Sequence, residues 1–152
     1  MTKWIAKDNP TEVELAWAAG ALDGEGCICI YGRPGRISKK GVHALQLVIT
    51  LVNTDPRMPL KMKEIFGGNC QPAVERRDNP RRRPIMTWLI TGKPAGLALA
   101  KMLPFLVIKR EQAGIALAYV ATIGKNGPLP INTHQKREEF RSKLVLLKGR
   151  IA

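Results

Sequence analysis

The sequence predicts an α+β domain with the element order α-β-β-α-β-β-α and further helices appended at the C-terminus. Two pairs of strand-like segments are each joined by a short basic loop, and helix-start signals lie before, between and after these pairs. The 152 residues are enough for one domain with its own hydrophobic core. Because the chain has no run of about 18 apolar residues, we expect no membrane span.

The first predicted helix begins at a capping box. Thr11 stands three residues before Glu14, the spacing at which each side chain bonds the other residue's backbone N–H. We expect this helix to end at the Asp-Gly pair 23–24. Its later turns consist of small residues, and Gly20 among them costs about 1 kcal/mol relative to alanine inside a helix. Close approach by a second helix backbone would offset this cost.

The strand-like segments predict two hairpins. Residues 27–33 and 42–52 form the first, and residues near 69–76 and 85–91 form the second. In the segment 42–52, alternate positions give one apolar face and one mixed face that is available to a partner. The pattern therefore predicts a four-stranded antiparallel sheet with helices on one face.

Start and stop signals predict the remaining helices of the domain. N-T-D-P at 53–56 begins a helix with Asp55 as its N-cap, and the glycine pair 67–68 ends it. The residues 92–94 begin a third helix, and a long fourth helix covers about 109–123.

The C-terminal segment is predicted as a linker and one charged helix. Thr133 is the expected N-cap of this helix, which ends at Gly149. We assign residues 1–123 to the domain and residues 124–152 to the linker and a helix packed on the same domain.

The net charge indicates the class of partner. Lysine and arginine total 25 against 12 acidic residues, which gives a net charge of +13 and a pI near 10.2. An excess of this size on one domain favours a polyanion, most simply double-stranded DNA. The predicted contacts lie on the sheet face opposite the helices, in the two hairpin loops and at the start of the second helix. They are Tyr31, Arg33, Arg36, Lys39, Lys40, Gln46, Thr50, Arg57, Arg76, Arg77, Arg81, Arg82, Arg83 and Trp88.

Two alternatives stay open for these residues. Taken singly, each is equally consistent with a solvated strand face, and Trp88 is also consistent with the hydrophobic core. For the three arginines at 81–83 we expect mostly phosphate contacts, because successive residues of a strand or turn cannot all face base edges.

Cysteines and histidines exclude several other kinds of site. The three cysteines form no C-x-x-C motif, and we predict that they are buried strand residues: Cys27, Cys29 and Cys70. Cys27 and Cys29 lie on the same strand face and could share a metal, but the sequence offers no second ligand pair. The two histidines, His43 and His134, lie in no arrangement typical of a nucleophilic hydrolase or a histidine–metal nuclease. The N-terminus lacks the apolar segment of a signal peptide, so we expect an intracellular protein.

The stretch A-A-G-A-L-D-G-E-G at 18–26 resembles the LAGLIDADG motif of the homing endonucleases. Ala18 and Ala21 stand where larger residues are usual, and Glu25 stands for the more common aspartate. Two further stretches are similar to family features: P-F-L-V-I-K-R-E-Q-A at 104–113 and V-N-T-D at 52–55. The resemblance covers about residues 12–123 and implies the same α-β-β-α-β-β-α order.

The resemblance implies an assembly as well as a fold. Only one such motif is present, which in this family implies a homodimer with the two motif helices packed across a two-fold axis. The expected interface residues are Ala16, Ala19, Gly20 and Asp23. The same symmetry implies a long pseudo-palindromic DNA site.

The resemblance also implies metal-dependent hydrolysis of phosphodiester bonds in both DNA strands. The Glu25 carboxylate and the Gly24 carbonyl are hard oxygen ligands suited to Mg²⁺, with about two or three divalent ions per dimer and Mn²⁺ or Ca²⁺ as substitutes. Lys109 would stabilise charge at the scissile phosphate or organise water, and Asn53 would position the attacking water. The alternatives are that D-G-E-G is only a turn joining helix to strand, and that Lys109 is an ordinary lysine near a helix start.

Other functions remain open at this point. A DNA-binding regulator could keep the fold without cutting, and an RNA-binding protein, either an intron maturase or a ribosomal-type module, would have a similar charge. We favour an endonuclease from an intron or a free-standing gene, with intron RNA as a possible further partner. A bacterial or phage-infected cytoplasm and an organelle all fit this interpretation.

Overall fold

The computed structural model of the chain describes residues 6–37, 43–72, 81–124 and 131–149. Its elements follow one another in the predicted order. The helices are α1 Glu12–Glu25, α2 Arg57–Phe66, α3 Gly92–Met102, α4 Arg110–Ala121 and α5 Ile131–Gly149. The strands are β1 Gly26–Ile37, β2 His43–Asn53, β3 Asn69–Pro72 and β4 Met86–Thr91, and a 3₁₀ turn covers Leu103–Phe105. None of the helices in the described ranges has the length and apolar character needed to cross a membrane.

The four strands form one antiparallel sheet in the order β1-β2-β4-β3. Each predicted hairpin is a neighbouring pair, and β2 and β4 join the two pairs at the centre. In register, Ile28 lies opposite Ile49, and Leu51 lies opposite Trp88. The α+β class and the four-stranded sheet are therefore confirmed.

The two faces of the sheet differ as predicted from β2. Leu47, Ile49 and Leu51 are buried against the helices, while the alternating residues Gln46 and Thr50 are only half-buried on the opposite face. Burial of this apolar face removes nonpolar side chains from water and so stabilises the fold. We call the opposite face, which carries Gln46 and Thr50, the open face.

Trp88 belongs to the core, so its predicted DNA contact is wrong. Its side chain is 0% exposed, its Nε1–H donates to the Gly67 carbonyl oxygen at 2.8 Å, and its ring lies 6.3 Å from that of Phe66. The register explains this, because pairing with Leu51 turns Trp88 toward the helices. The alternative assignment to the core was the correct one.

Two helix starts differ from prediction by one or two residues. The N-cap position of α2 is Pro56 rather than Asp55, although the Asp55 carboxylate still accepts the Arg57 N–H at 3.0 Å. Thr133 is not an N-cap, because α5 already begins at Ile131, directly after Pro130 in the sequence.

Helix α5 packs on α4 and on β1. Arg137 bonds the end of α4, with Nε 2.9 Å from the Thr122 Oγ1 and Nη2 2.8 Å from the Thr122 carbonyl oxygen. Its guanidinium also lies 5.9 Å from the centre of the Tyr119 ring. A cation at the C-terminal end of α4 is favoured by the partial negative charge there. The division of the chain at residue 123 stays a prediction.

Candidate functional site

The C-terminal end of α1 carries acidic residues where a helix would normally favour cations. The helix runs to Glu25, its last turn contains no basic residue, and the Gly26 N–H bonds the Leu22 carbonyl. Asp23 and Glu25 both lie in this turn. The end of α1 is therefore stable only if groups from elsewhere in the fold compensate for it.

Asp23 is fixed by the segment that leads into α4. Its Oδ2 accepts the Val107 N–H and its Oδ1 accepts the Lys109 N–H, both at 2.8 Å. Lys109 is the N-cap residue of α4, so the carboxylate lies at the positive end of that helix. An acid that is unfavourable at the end of α1 is thus favourable at the start of α4. Charge-assisted bonds of this kind are roughly twice as strong as neutral ones.

Lys109 supplies the cation that the end of α1 needs. Its Nζ donates to the Asp23 carbonyl oxygen at 2.6 Å. The backbone and the side chain of Lys109 therefore both bind Asp23, and this holds the ammonium group beside the last turn of α1. An ammonium has three donors, so two remain for an anionic ligand.

Unlike Asp23, Glu25 has no bonding partner among the described residues. Its side chain is exposed, and across the described residues it forms no hydrogen bond or ion pair. No group of three or more histidine, cysteine, aspartate or glutamate side chains in those ranges could hold a metal ion. The Glu25 carboxylate is therefore available to a ligand at this end of the sheet.

Asn53 lies at the same end of the sheet, but its side chain already bonds residues close to it in the sequence. Leu51 pairs with Gly26, so Asn53, two residues further along β2, lies next to the end of α1. Its Oδ1 accepts the Asp55 N–H at 2.8 Å, and its Nδ2 lies 3.6 Å from the Met58 Sδ. Lys109 therefore bonds α1 directly, whereas the hydrogen bonds that Asn53 forms with described residues go to Asp55 and Met58.

The predicted DNA-contacting residues occupy three kinds of position. Tyr31, Gln46 and Thr50 lie on the open face, where Tyr31 pairs with Gln46. Arg81, Arg82 and Arg83 are exposed. The side chains of Arg33 and Arg36 and the whole of Lys39, Lys40, Arg76 and Arg77 lie outside what the structure describes. Contact of any of these residues with DNA stays a prediction.

Arg57 is exposed but already paired. Its guanidinium forms a two-pronged ion pair with Asp55. The hydrogen bonds and charge of Arg57 lower the pKa of Asp55 to about 2, and Asp55 in turn raises the pKa of Arg57. A phosphate that binds Arg57 would have to compete with this carboxylate.

Helix α1 has one buried and one exposed face. Ala19 is 0% exposed and packs in the core with Ala18 and Leu22, so its predicted place in a dimer interface is wrong. Ala16 and Gly20 are exposed, and a Cβ added to Gly20 would meet nothing within 4 Å. Asp23 is half-buried and bonds Val107 and Lys109 of its own chain, and its place in a dimer interface stays a prediction.

Sequence reasoning missed the apolar residues on the exposed face of α1. Val13 is 79% exposed and Trp17 is 40% exposed, and both line a groove of about 570 Å³ between α1 and α2 that Met58 also lines. The spacing of positions 13, 17 and 20 was a detectable signal, because residues three and four apart share a helix face.

A buried amide beside the site was also missed. Gln112 lies one turn after Lys109 in α4 and is buried, and its Oε1 has no hydrogen-bond partner among the residues that the structure describes. Nothing in the sequence distinguishes it from an exposed helical glutamine.

Comparison with known proteins identifies the architecture. No protein-family model matches the sequence, and no curated protein matches it either. Among solved structures, the homing endonuclease I-CvuI in complex with its target is 23% identical, with a TM-score of 0.67 over 89% of this chain and 82% of that one. The archaeal intron-encoded homing endonuclease I-Vdi141I, complexed with DNA, is 16% identical, with a TM-score of 0.71 over 90% and 84%. The chain has the homing endonuclease fold.

This chain also matches part of a longer solved structure in fold. I-SmaMI bound to an uncleaved DNA target is 17% identical, with a TM-score of 0.59 over 86% of this chain but only 44% of that one. At these identities the homing endonucleases share the fold with this chain, and its chemistry has to be argued from its own residues.

Proposed function

We propose that this protein is a LAGLIDADG-type, site-specific double-strand DNA endonuclease. It hydrolyses phosphodiester bonds with a divalent metal, as a homodimer on a pseudo-palindromic site. The observation that carries the proposal is that an unpaired Glu25 and a Lys109 held by Asp23 lie at the same end of α1, within the residues that the structure describes. A regulator that binds without cutting has no need of either residue, and here both are present.

The residues at the end of α1 fit a magnesium ion. Mg²⁺ binds carboxylate and carbonyl oxygens, keeps several of its waters and needs only one or two carboxylates. Glu25 would provide the carboxylate and Gly24 the carbonyl oxygen. When bound, the ion polarises the phosphate and makes water a stronger nucleophile. Mn²⁺ would be expected to substitute for it.

The chain's own groups have separate tasks in this proposal. Lys109, held at 2.6 Å from the Asp23 carbonyl, directs its remaining N–H donors at negative charge on the scissile phosphate. Asp23 positions Lys109 through its backbone N–H and makes no direct contribution to the chemistry. Asn53 orients water near Glu25 once its local bonds are exchanged.

Two observations support assembly as a homodimer. The exposed apolar side of α1, with Val13, Trp17 and Gly20, is the kind of surface that packs against a second helix. The comparison with I-SmaMI agrees, because this chain corresponds to less than half of that longer protein. A second copy would bring a second Glu25 to the same place and complete the set of carboxylates.

The sheet and its charge support DNA as the substrate. The open face presents Tyr31, Gln46 and Thr50, and strands of this kind can read base edges in the major groove. The exposed arginines at 81–83 and the net charge of +13 suit phosphate binding.

A randomised DNA library tests the proposal. With Mg²⁺, the protein should cut a subset of sequences with two-fold related half-sites, and a chelator should stop cutting without abolishing binding. Lys109→Met should slow cleavage by about a hundredfold or more and leave DNA affinity nearly unchanged. Lys101→Met, an exposed lysine on α3, is the matched control. Binding without any cleavage under these conditions would identify a regulator instead.

A further inference from the structure

Cys27, Cys29 and Lys148 form a side-chain cluster that the proposed nuclease does not use. The two cysteines lie two residues apart on the open face of β1, with their Sγ atoms 3.2 Å apart. The Lys148 Nζ, from the C-terminal end of α5, lies 2.8 Å from the Cys29 Sγ and 3.4 Å from the Cys27 Sγ. Both cysteines are half-buried and unpaired by disulfides.

We propose that Cys27 and Cys29 are a peroxide-sensitive dithiol. Cys29 is the reacting thiolate, Lys148 stabilises it, and Cys27 converts the first oxidation product into a disulfide. This site is separate from the phosphodiester chemistry and would act whether or not the protein cuts DNA.

The surroundings of Cys29 stabilise a negative charge on its sulfur. Hydrogen bonds from Cys27, Lys148 and Tyr31, together with the charge of Lys148, lower the pKa of Cys29 to about 5. The Cys29 thiolate in turn raises the pKa of Cys27, and it raises the pKa of Tyr31 to about 12. At neutral pH the cluster therefore holds one thiolate beside one ammonium.

Across the sheet, no described residue of β2 places a charged group opposite the pair. The β2 residues opposite Cys27, Cys29 and Tyr31 are uncharged: Thr50, Val48 and Gln46. Among the described residues, the titratable groups that act on Cys29 are Cys27 and Tyr31 from β1 and Lys148 from α5.

The arrangement favours a nucleophile over a metal site. Lys148 places an ammonium at hydrogen-bond distance from both sulfurs, where it would repel a bound cation. The described parts of the chain also offer no third histidine, cysteine, aspartate or glutamate ligand nearby. A metal shared by Cys27 and Cys29, one possibility from the sequence, is therefore disfavoured.

The reaction has two balanced steps. The Cys29 sulfur attacks one oxygen of a hydroperoxide, the O–O bond breaks, and the other oxygen leaves as an alcohol or as water after taking a proton from solvent. The Cys27 sulfur then attacks the resulting sulfenic sulfur, the S–S bond forms, and the S–O bond breaks. The leaving hydroxide takes the Cys27 proton as water. Two thiols lose two electrons, and one peroxide gains them.

Strand geometry makes the product reversible. Residues two apart on a strand have Cα atoms about 6.6 Å apart, near the upper limit for a disulfide. The bond is therefore strained and easily reduced, as expected of a switch rather than a structural link.

The pH dependence of alkylation in the intact protein tests the thiolate. Iodoacetamide labelling followed by mass spectrometry should show Cys29 reacting about tenfold faster than an ordinary thiol at pH 6, because its high thiolate fraction outweighs its lower intrinsic nucleophilicity. Cys70 is the internal control, since burial raises its pKa and it should react only at alkaline pH. Cys29 following the same alkaline profile as Cys70 would overturn the proposal.

Two sets of variants separate the roles of the cluster. Lys148→Met should slow Cys29 labelling at pH 6 by about fivefold, whereas Lys136→Met, an exposed lysine on the same helix, should not change it. After treatment with hydrogen peroxide, the wild type should contain a Cys27–Cys29 disulfide, and Cys27→Ser should instead accumulate a sulfenic acid at Cys29 that dimedone traps. Equal effects of the two lysine variants, or no trapped adduct, would refute it. None of these measurements requires DNA, so their outcome is independent of the proposed nuclease.

Discussion

The two ends of α1 carry the same kind of residue and use it differently. At the N-terminal end, Glu14 closes the capping box with Thr11 and also accepts bonds from Lys7 at 2.8 Å and Lys61 at 3.5 Å. At the C-terminal end, Glu25 is exposed and unpaired among the residues described. One glutamate is committed to the fold and the other remains available to a ligand.

The difference arises from what lies opposite each end. The N-terminal end faces lysines and its own orphan N–H groups, so a carboxylate is favourable there by charge and by hydrogen bonding. At the C-terminal end, the backbone and side chain of Lys109 both bind Asp23, and no described residue forms a hydrogen bond or ion pair with Glu25. An acidic residue left unpaired in an unfavourable position indicates function more strongly than one that stabilises a helix.

The largest effect is expected from exchanging the two glutamates for glutamine. Glu25→Gln should reduce cleavage by about a thousandfold or more, roughly 4 kcal/mol, with an unchanged melting temperature. Glu14→Gln should lower the melting temperature and leave the cleavage rate per folded molecule unchanged. Cleavage assays and thermal unfolding of both variants check this. Loss of stability in Glu25→Gln would show that the two ends are equivalent.

The next largest effect concerns assembly through the exposed side of α1. Gly20→Leu should weaken the dimer by about 1–3 kcal/mol through overpacking, while each chain folds at least as well, because leucine is the better helix former. Gly114→Leu on α4 is the matched control, since it too is an exposed helical glycine with open space around it. Sedimentation at several concentrations measures the difference. A wild type that is monomeric at all concentrations would rule out the dimer.

A smaller effect is expected when the fixed carboxylate is weakened. Asp23→Asn removes the charge from two bonds to the backbone at 107 and 109, and should lower the free energy of unfolding by about 1–3 kcal/mol. Thr11→Ala at the other end should cost about 1 kcal/mol, the usual value for a lost N-cap. Urea unfolding compares them. An unchanged free energy of unfolding in Asp23→Asn would show that the bonds between Asp23 and the start of α4 do not stabilise the fold.

The smallest effect is the acid dependence of the N-terminal end. The hydrogen bond from Lys7, followed by that from the Thr11 backbone, lowers the pKa of Glu14 from 4.5 to about 2. Because the folded pKa is depressed, its contribution to stability is complete above about pH 4.5 and is lost as the pH falls toward 2. NMR titration of the Glu14 carboxyl should show this low midpoint, and Lys7→Met should raise it. A midpoint near 4.5 in the wild type would refute the pairing.

Local signals account for what the sequence predicted correctly. The capping box at Thr11, the glycine stop at 67–68 and the alternation in β2 are each encoded within a few residues, so the element order followed from the sequence. The faces were harder to assign. The segment 86–91 has apolar residues at both parities, so only its pairing with β2 showed that Trp88 faces the core.

The site could be predicted only in part for a similar reason. A helix of small residues gives little contrast between its faces, which is why Ala19 was assigned to the wrong one. The bonds from Asp23 to the backbone at 107 and 109 join residues more than 80 positions apart. No local pattern encodes such a contact, and only the resemblance to a known motif brought Lys109 and α1 together.

The long separation between Asp23 and Lys109 also affects when the site forms. Contacts this distant in sequence require a large loop to close, so they generally form late in folding. During synthesis, the motif helix and the first hairpin leave the ribosome well before Lys109 does. The lysine that α1 needs thus arrives only after most of the chain has been made. A prematurely terminated product that ends before residue 109 would lack this lysine, and the negative charge at the end of α1 would stay uncompensated in it.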